Sequence, residues 1–184
     1  MSGILGRSSS VSSVISEGSP IMGELYQFTN YVQGSANILS ANMALATGTS
    51  RAYGPPASKS LGMSLGTSGT ADGVFTFPTM GVYHILATVN LYQTADVHSR
   101  YNHLNFSIGS ANDNSTIIGQ FSGFTNGDVN THNMVTGQCF VYIDDLASKK
   151  FYMNTSFEQG NDVRTWVSDG LNHGCVFFMR MGDL

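Results

Sequence analysis

Histidine, serine and aspartate are the residues of this sequence that could support acid–base, nucleophilic or metal chemistry. Serines and aspartates are plentiful, but geometry defines a Ser-His-Asp triad, and no spacing in this sequence indicates one. We find no glycine-rich phosphate-binding motif. We therefore expect no enzymatic activity, no catalytic residue and no cofactor. The five histidines are His84, His98, His103, His132 and His173.

Two small groups of residues could hold a metal ion. Asp96, His98 and His103 offer two imidazole nitrogens and a carboxylate, which suit a transition metal. Asp144 and Asp145 could bind calcium together with loop carbonyl groups. We favour the simpler interpretation of each group and predict no metal site. The first is a polar rim at a strand end, and the second belongs to a hairpin loop between two strands.

The composition excludes several classes of partner. Charged residues make up 11% of the 184 residues and the net charge is −4. The chain has no run of Lys or Arg, so we expect no nucleic-acid partner. No stretch approaches the roughly 20 apolar residues that span a bilayer, so we expect no membrane insertion. The first six residues lack the basic and apolar regions of a signal peptide, and we expect none.

Residues 1–19 differ in composition from the rest of the chain. Eight of them are serines, and a few apolar residues are scattered among these. A segment this polar rarely orders by itself, so we predict an extended N-terminal arm that binds a partner. Residues 20–184 would then form one domain. The apolar residues expected to anchor the arm are Ile4, Leu5, Val11, Val14 and Ile15.

From residue 20 onward the pattern is that of short β-strands between glycine-rich turns. Residues 103–108 and 151–158 alternate between apolar and polar side chains, which is typical of an antiparallel sheet with one solvated face. Residues 38–46 are the one weak helical candidate, and we assign them to strand and loop. The sequence therefore predicts an all-β, antiparallel two-sheet sandwich.

Three other segments, 83–92, 134–143 and 175–179, are apolar or aromatic on both faces. A two-sheet sandwich buries only one face of each sheet, so the second face requires another cover. An identical subunit is the simplest one, because aromatic residues and Met are enriched at such contacts. We predict a homotrimer whose interface includes Leu86, Tyr92, Phe140, Tyr142 and Phe178.

Residues 73–85, Gly-Val-Phe-Thr-Phe-Pro-Thr-Met-Gly-Val-Tyr-His-Ile, resemble a motif of the trimeric jelly rolls of the tumour necrosis factor and complement C-one-q superfamily. Residues 23–28 resemble the family's opening strand, and 173–178 its closing strand. The resemblance spans about residues 21–182. It implies a jelly roll whose inner sheet meets the neighbouring subunits, and the two-faced segments fall on that sheet.

The collagen stalk of the complement type is absent from this sequence. A motif like Gly23-Glu24-Leu25-Tyr26 occurs in similar domains of phage virion proteins. The resemblance therefore favours a structural protein on a virion surface, either a bacteriophage capsid decoration protein or a short head or tail fibre. Its partners would be its own copies and, through the arm, other virion proteins.

Two alternatives remain open. One is a receptor- or glycan-binding module at a fibre tip, using Trp166 and the loops around it and around 110–116 to contact a host surface glycan. The other is a cellular ligand of the tumour necrosis factor type.

The two cysteines, Cys139 and Cys175, are expected to stay reduced. The family's strand order implies that another strand separates the two strands that carry them, too far for a disulfide.

Overall fold

The computed structural model describes residues 23–29, 38–46, 61–96, 98–112, 114–125, 128–158, 162–165 and 174–183. Within these ranges the chain forms β-strands and short 3₁₀ turns, with no α-helix. No helix in these ranges is long and apolar enough to cross a bilayer. The strands are β1 Gly23–Phe28, β2 Met43–Leu45, β3 Ser64–Leu65, β4 Phe75–Thr76, β5 Gly81–Gln93, β6 Ser99–Ala111, β7 Asn114–Thr125, β8 His132–Ile143, β9 Lys150–Phe157, β10 Val163–Thr165 and β11 Gly174–Gly182.

The strands form two antiparallel sheets. In the six-stranded sheet the order is β10-β5-β11-β1-β2, and β8 pairs with the other edge of β5. In the five-stranded sheet the order is β3-β4-β9-β6-β7. Since consecutive strands repeatedly switch between sheets, the connectivity is that of a jelly roll, and the predicted all-β, two-sheet fold is confirmed.

The core lies between the sheets, and on β5 and β8 it is formed by alternate residues. On β5 the odd-numbered residues from Tyr83 to Leu91 are buried, as the alternation predicts. On β9, Phe151, Met153 and Phe157 are buried in the same way. Aromatic rings fill the centre in edge-on and tilted contacts, which suit their quadrupoles. The ring centroids of Phe75 and Phe178, for example, are 4.8 Å apart.

The first strand is fixed by a buried carboxylate. Glu24 is 2% exposed, and its Oε2 accepts hydrogen bonds from the backbone N–H groups of Gly62, at 2.8 Å, and Met63, at 3.0 Å. The Tyr26 hydroxyl lies 2.8 Å from Glu24 Oε1 and 3.0 Å from the Met63 carbonyl oxygen, so it can donate its proton to either. These contacts tie β1 to the segment that leads into β3.

The start of β1 also requires a glycine. A Cβ at Gly23 would lie 2.5 Å from Cζ of the Phe177 ring on β11. Gly23, Glu24 and Tyr26 therefore all have structural roles in the Gly-Glu-Leu-Tyr motif that the sequence singled out.

Of two local predictions, the structure confirms one and corrects the other. Residues 38–46 contain a 3₁₀ turn at Leu39–Asn42 followed by β2, which agrees with the assignment to strand and loop. The loop between β8 and β9 is not a hairpin, because the two strands belong to different sheets and the loop crosses between them. Asp145 nevertheless acts as a turn residue there, since its Oδ1 accepts the N–H of Ala147 at 2.8 Å.

Candidate subunit interface

The outward face of the six-stranded sheet exposes large apolar side chains on β8. Val135, Val141 and Ile143 point into the core. Met134, Phe140 and Tyr142 point outward and are 60%, 63% and 66% exposed. Monomeric proteins seldom leave an aromatic patch of this kind uncovered, and such patches mark interaction sites.

The apolar character continues across the sheet onto β5. Phe140 pairs with His84 across the strands. Their rings are stacked, with centroids 4.7 Å apart and an interplanar angle of 20°. His84 Nε2 is also 3.2 Å from Oε1 of Gln138 on β8. The outward side chains of the two strands thus hold one another in place.

A second apolar row crosses the middle of the same face. Leu86 on β5 pairs with Phe177 on β11, and Phe177 pairs with Leu25 on β1. All three side chains are partly exposed. Three adjacent strands therefore present one continuous apolar row, beside the exposed aromatics of β8.

Phe178 does not belong to this face, so its assignment to the interface was wrong. It is 0% exposed and pairs with the core residue Ile85. Phe177 occupies the outward position instead. Residues 175–179 are all apolar, so alternation could not indicate which of their side chains point outward. The register of β11 with β5 shows that Phe177 points outward and Phe178 points into the core.

Tyr92 lies at the far end of the same face. Its ring centroid is 4.9 Å from that of His132 on β8, and the Arg164 guanidinium lies 4.9 Å above the Tyr92 ring. The Tyr92 hydroxyl donates a hydrogen bond to Asn130 Oδ1. The structure thus places four of the five predicted interface residues, Leu86, Tyr92, Phe140 and Tyr142, on one face.

An apolar cleft lies where the edges of the two sheets meet. It has a volume of about 280 Å³ and brings Ile118 of β7 together with Phe140 and Tyr142 of β8. Ile108, Cys139, Val141 and Lys149 complete its lining. Sequence analysis did not identify β7 as a strand, so Ile118 was missed. The exposed aromatics therefore belong to a surface that extends from the sheet face to the edge of the sandwich.

The residues proposed for chemistry do not assemble into a site. Asp96 Oδ1 accepts the backbone N–H of Val129 at 2.6 Å. His103 lies on β6, with Nδ1 2.7 Å from Ser122 Oγ. In the part of the chain that the structure describes, no three His, Cys, Asp or Glu residues are grouped so that they could hold a metal ion.

A serine motif was overlooked in the sequence. Residues 62–66 match Gly-x-Ser-x-Gly, the pattern of a hydrolase nucleophile elbow. The elbow requires a sharp strand-to-helix turn. Ser64 instead lies in β3 and pairs with Thr76 of β4. The structural context of a nucleophile is therefore not present at this serine.

The remaining predicted residues fall outside the described part of the chain. These are Trp166 and the whole arm, including Ile4, Leu5, Val11, Val14 and Ile15. The 110–116 region, expected to form a loop, is mostly strand. β6 continues to Ala111 and β7 begins at Asn114, with Ala111 paired to Asn114.

Both cysteines are free, as predicted. β5 lies between their strands, with Ile85 paired to Cys139 and Thr88 paired to Cys175. Burial raises the pKa of Cys139 to about 11. Burial also raises the pKa of Cys175, against a smaller lowering by the Thr88 backbone. Both thiols are therefore protonated at neutral pH.

No family model matches the chain, and no curated protein matches it. Solved structures do match the chain. Eiger TNF from S. frugiperda superimposes with a TM-score of 0.61 at 10% identity, over 90% of this chain and 96% of that one. Murine APRIL superimposes with a TM-score of 0.55 at 7% identity, over 88% and 99%. The chain has the TNF-type jelly-roll fold. At these identities the likeness concerns the fold alone.

The TNF-type fold agrees with the sequence resemblance at residues 73–85. Gly73, Phe75 and Phe77 lie on and around β4, and Gly81 and Tyr83 begin β5. Phe75, Phe77 and Tyr83 are all core residues, and the Phe77 and Tyr83 ring centroids are 4.6 Å apart. The motif is thus a packing motif that joins the two sheets.

Proposed function

We propose that the chain is a non-enzymatic, homotrimeric structural protein on the surface of a virus particle. The observation that supports assembly best is the pair of exposed aromatics on β8, Phe140 at 63% and Tyr142 at 66% exposed. They lie beside the apolar row of Leu86, Phe177 and Leu25, on a sheet face that the sandwich itself cannot cover. We call this combined surface, together with Ile118 of the neighbouring cleft, the assembly face.

The assembly face contains two different patches. One is the edge patch, which consists of Phe140, Tyr142 and Ile118. The other is the central row of Leu25, Phe177 and Leu86. If the edge patch of one protomer packs on the central row of the next, the contact is head-to-tail, and a threefold rotation closes it into a ring. The TNF resemblance implies the same use of this sheet. Obligate interfaces bury on the order of 2,000 Å² or more.

The assignment to a virion rests on composition and on the arm. Only 11% of the residues are charged, so the surface is covered mainly by neutral polar groups. Residues 1–19 carry five scattered aliphatic residues among serines, which suits attachment to another protein. In this proposal the arm anchors the trimer and the jelly roll projects as a capsid decoration or as a short head or tail fibre.

A cellular ligand is the second candidate, favoured by the fold similarity to Eiger TNF and APRIL. Mass spectrometry of purified virus particles separates the two candidates. A virion protein is present at a fixed copy number, in the hundreds for a decoration protein and few for a fibre tip. Absence of the chain from purified particles would favour the ligand.

Light scattering after size-exclusion chromatography tests the trimer. We expect a particle of three times the 19.7 kDa chain mass at micromolar concentration. Phe140→Glu should give folded monomers, because it places a charge in the edge patch. Tyr101→Glu is the matched control, since Tyr101 is 41% exposed and lies on β6 of the other sheet. A monomeric wild-type protein would overturn the proposal.

Truncation before Pro20 tests the arm. The truncated protein should remain folded and trimeric, because the arm has few apolar residues to contribute to the core. Attachment to particles lacking the protein should be lost. Burying each apolar arm residue contributes about 1.5–3 kcal/mol before ordering costs, and three arms on one trimer act together. Full occupancy by the truncated trimer would show that the jelly roll itself is the anchor.

A further inference from the structure

We propose that the outward face of the five-stranded sheet carries a binding site for a neutral saccharide. The site, here called the saccharide platform, consists of Tyr101 and His103 on β6 and of Gln120, Ser122 and Phe124 on β7. It differs from the Trp166 region considered in the sequence. The assembly face lies on the other sheet, except for Ile118, which is on β7.

Strand register places these side chains on one surface. Leu104 of β6 pairs with Phe121 of β7, and both belong to the core side. Their neighbours along the strands therefore point outward, as His103 and Ser122 do in the adjacent pair. Tyr101 and Phe124 lie further along the same two strands and are 41% and 65% exposed. The register between the strands shifts between Ser99 and Asn102, and the stacking of Tyr101 on His103 places the Tyr101 ring on the same surface.

The platform is organised before any ligand arrives. Tyr101 and His103 stack with centroids 4.9 Å apart and an interplanar angle of 18°. His103 Nδ1 lies 2.7 Å from Ser122 Oγ, which fixes the imidazole. Gln120 Nε2 donates to Asn105 Oδ1 at 2.9 Å. Because a primary amide has two N–H donors and an acceptor, this bond leaves Gln120 further hydrogen-bonding capacity.

The chemistry of the platform matches a neutral sugar. Exposed aromatic rings offer apolar surface to the C–H face of a pyranose, and the amide, hydroxyl and imidazole groups can bond its hydroxyls. Single-stranded nucleic acid also stacks on aromatics but needs a basic groove. At the margin of the platform Arg100 forms an ion pair with Glu158, so its charge is compensated. A neutral ligand is therefore favoured over an anionic one.

Binding of the intact protein to a microarray of neutral glucose-, galactose-, mannose- and N-acetylglucosamine-based oligosaccharides tests the proposal. We expect at least one saccharide to bind, and Phe124→Ala and Tyr101→Ala each to weaken binding by about tenfold or more. Met80→Ala is the control, because it removes an exposed apolar side chain elsewhere and should leave binding unchanged. Addition of the bound saccharide should shift the backbone amide NMR signals of residues 101–103 and 120–124.

Three results would overturn the platform. These are no binding of the wild type to any array saccharide at millimolar concentration, equal binding by the Phe124 and Tyr101 variants, and amide shifts confined to other residues. If no array saccharide binds, but the protein still binds host surfaces after periodate has oxidised their sugars, the partner is a protein instead. The oligomeric state of each variant is measured in parallel, so failure of the platform is distinguishable from failure of the trimer.

Discussion

The ring of Phe121 packs directly over Gly137. A Cβ added at Gly137 would lie 2.3 Å from Phe121 Cδ2. Since β7 is an edge strand of the five-stranded sheet and β8 an edge strand of the six-stranded sheet, this contact closes one side of the sandwich. Gly123 lies at the same contact between β7 and β8, where an added Cβ would lie 2.6 Å from Val135 Cγ2. The apolar cleft that contains Ile118, Phe140 and Tyr142 lies next to this contact and depends on the close approach of β7 and β8.

Gly137→Ala should therefore destabilise the protein. Overpacking a core contact costs about 1–3 kcal/mol, because neither strand can move freely away. Phe121→Leu in the Gly137→Ala background should recover part of the loss by making space. Urea unfolding at one fixed protein concentration measures the effect. Thr116→Ala, an exposed change on β7, is the control, and a Gly137→Ala midpoint equal to that control would contradict the close contact.

Glu24→Gln should weaken the connection between β1 and residues 61–63. Hydrogen bonds to charged groups contribute about 1.5–3 kcal/mol. The neutral amide keeps one oxygen for the N–H groups of Gly62 and Met63, but it carries no charge and its NH₂ group replaces the Oε1 that faces the Tyr26 hydroxyl. Amide hydrogen exchange at Gly62 and Met63 should accelerate, and the urea midpoint should fall.

Glu158→Gln provides the matched control for Glu24→Gln. The Glu158 carboxylate pairs with the exposed Arg100 side chain, and ion pairs at the surface contribute little to stability because solvent screens them. If both variants lowered the midpoint equally, the buried contacts of Glu24 would have no special role.

Alternation was sufficient to sort the side chains of β5 and β8 onto two faces. It placed Ile85 and Val141 in the core and Phe140 and Tyr142 outside. It was not sufficient for 175–179, where every position is apolar, or for β7, where Gly119 and Gly123 interrupt the apolar pattern. Those glycines are explained only by neighbours distant in sequence, such as Phe121 and Val135, which no local pattern shows.

Phe177 and Phe178 are adjacent in sequence and should differ sharply on substitution. Phe178→Ala removes a fully buried ring and should cost about 3–5 kcal/mol of unfolding free energy. Phe177→Ala removes a partly exposed ring from the central row and should mainly shift the trimer toward monomer. Urea unfolding and light scattering measured on both variants separate the two effects. Equal losses of stability with unchanged assembly would contradict the assignment of Phe177 to the assembly face.

The cysteines should make stability sensitive to alkaline pH. The folded pKa of Cys139, about 11, exceeds the ordinary thiol pKa of about 8.5 because burial disfavours the thiolate. The folded state therefore holds the thiol proton more tightly than the unfolded state. This contribution to stability is fully present below about pH 8.5 and is lost as pH rises through about 11. The wild-type urea midpoint should fall over that window.

The effect of Tyr26 on stability at alkaline pH must be distinguished from the effect of the thiols, because burial and the hydrogen bond to Glu24 also raise the pKa of Tyr26. Cys139→Ala should lower stability at pH 7 by removing a partly buried side chain, yet show a shallower loss of stability between pH 8.5 and 11 than the wild type.

Native Cys139 should also react slowly with iodoacetamide at pH 7.5, because the thiolate is the reactive form. Denaturation should restore rapid labelling of two thiols per chain. An unchanged alkaline slope in Cys139→Ala, together with rapid labelling of the native protein, would show that the Cys139 thiol is accessible and that its pKa is not raised.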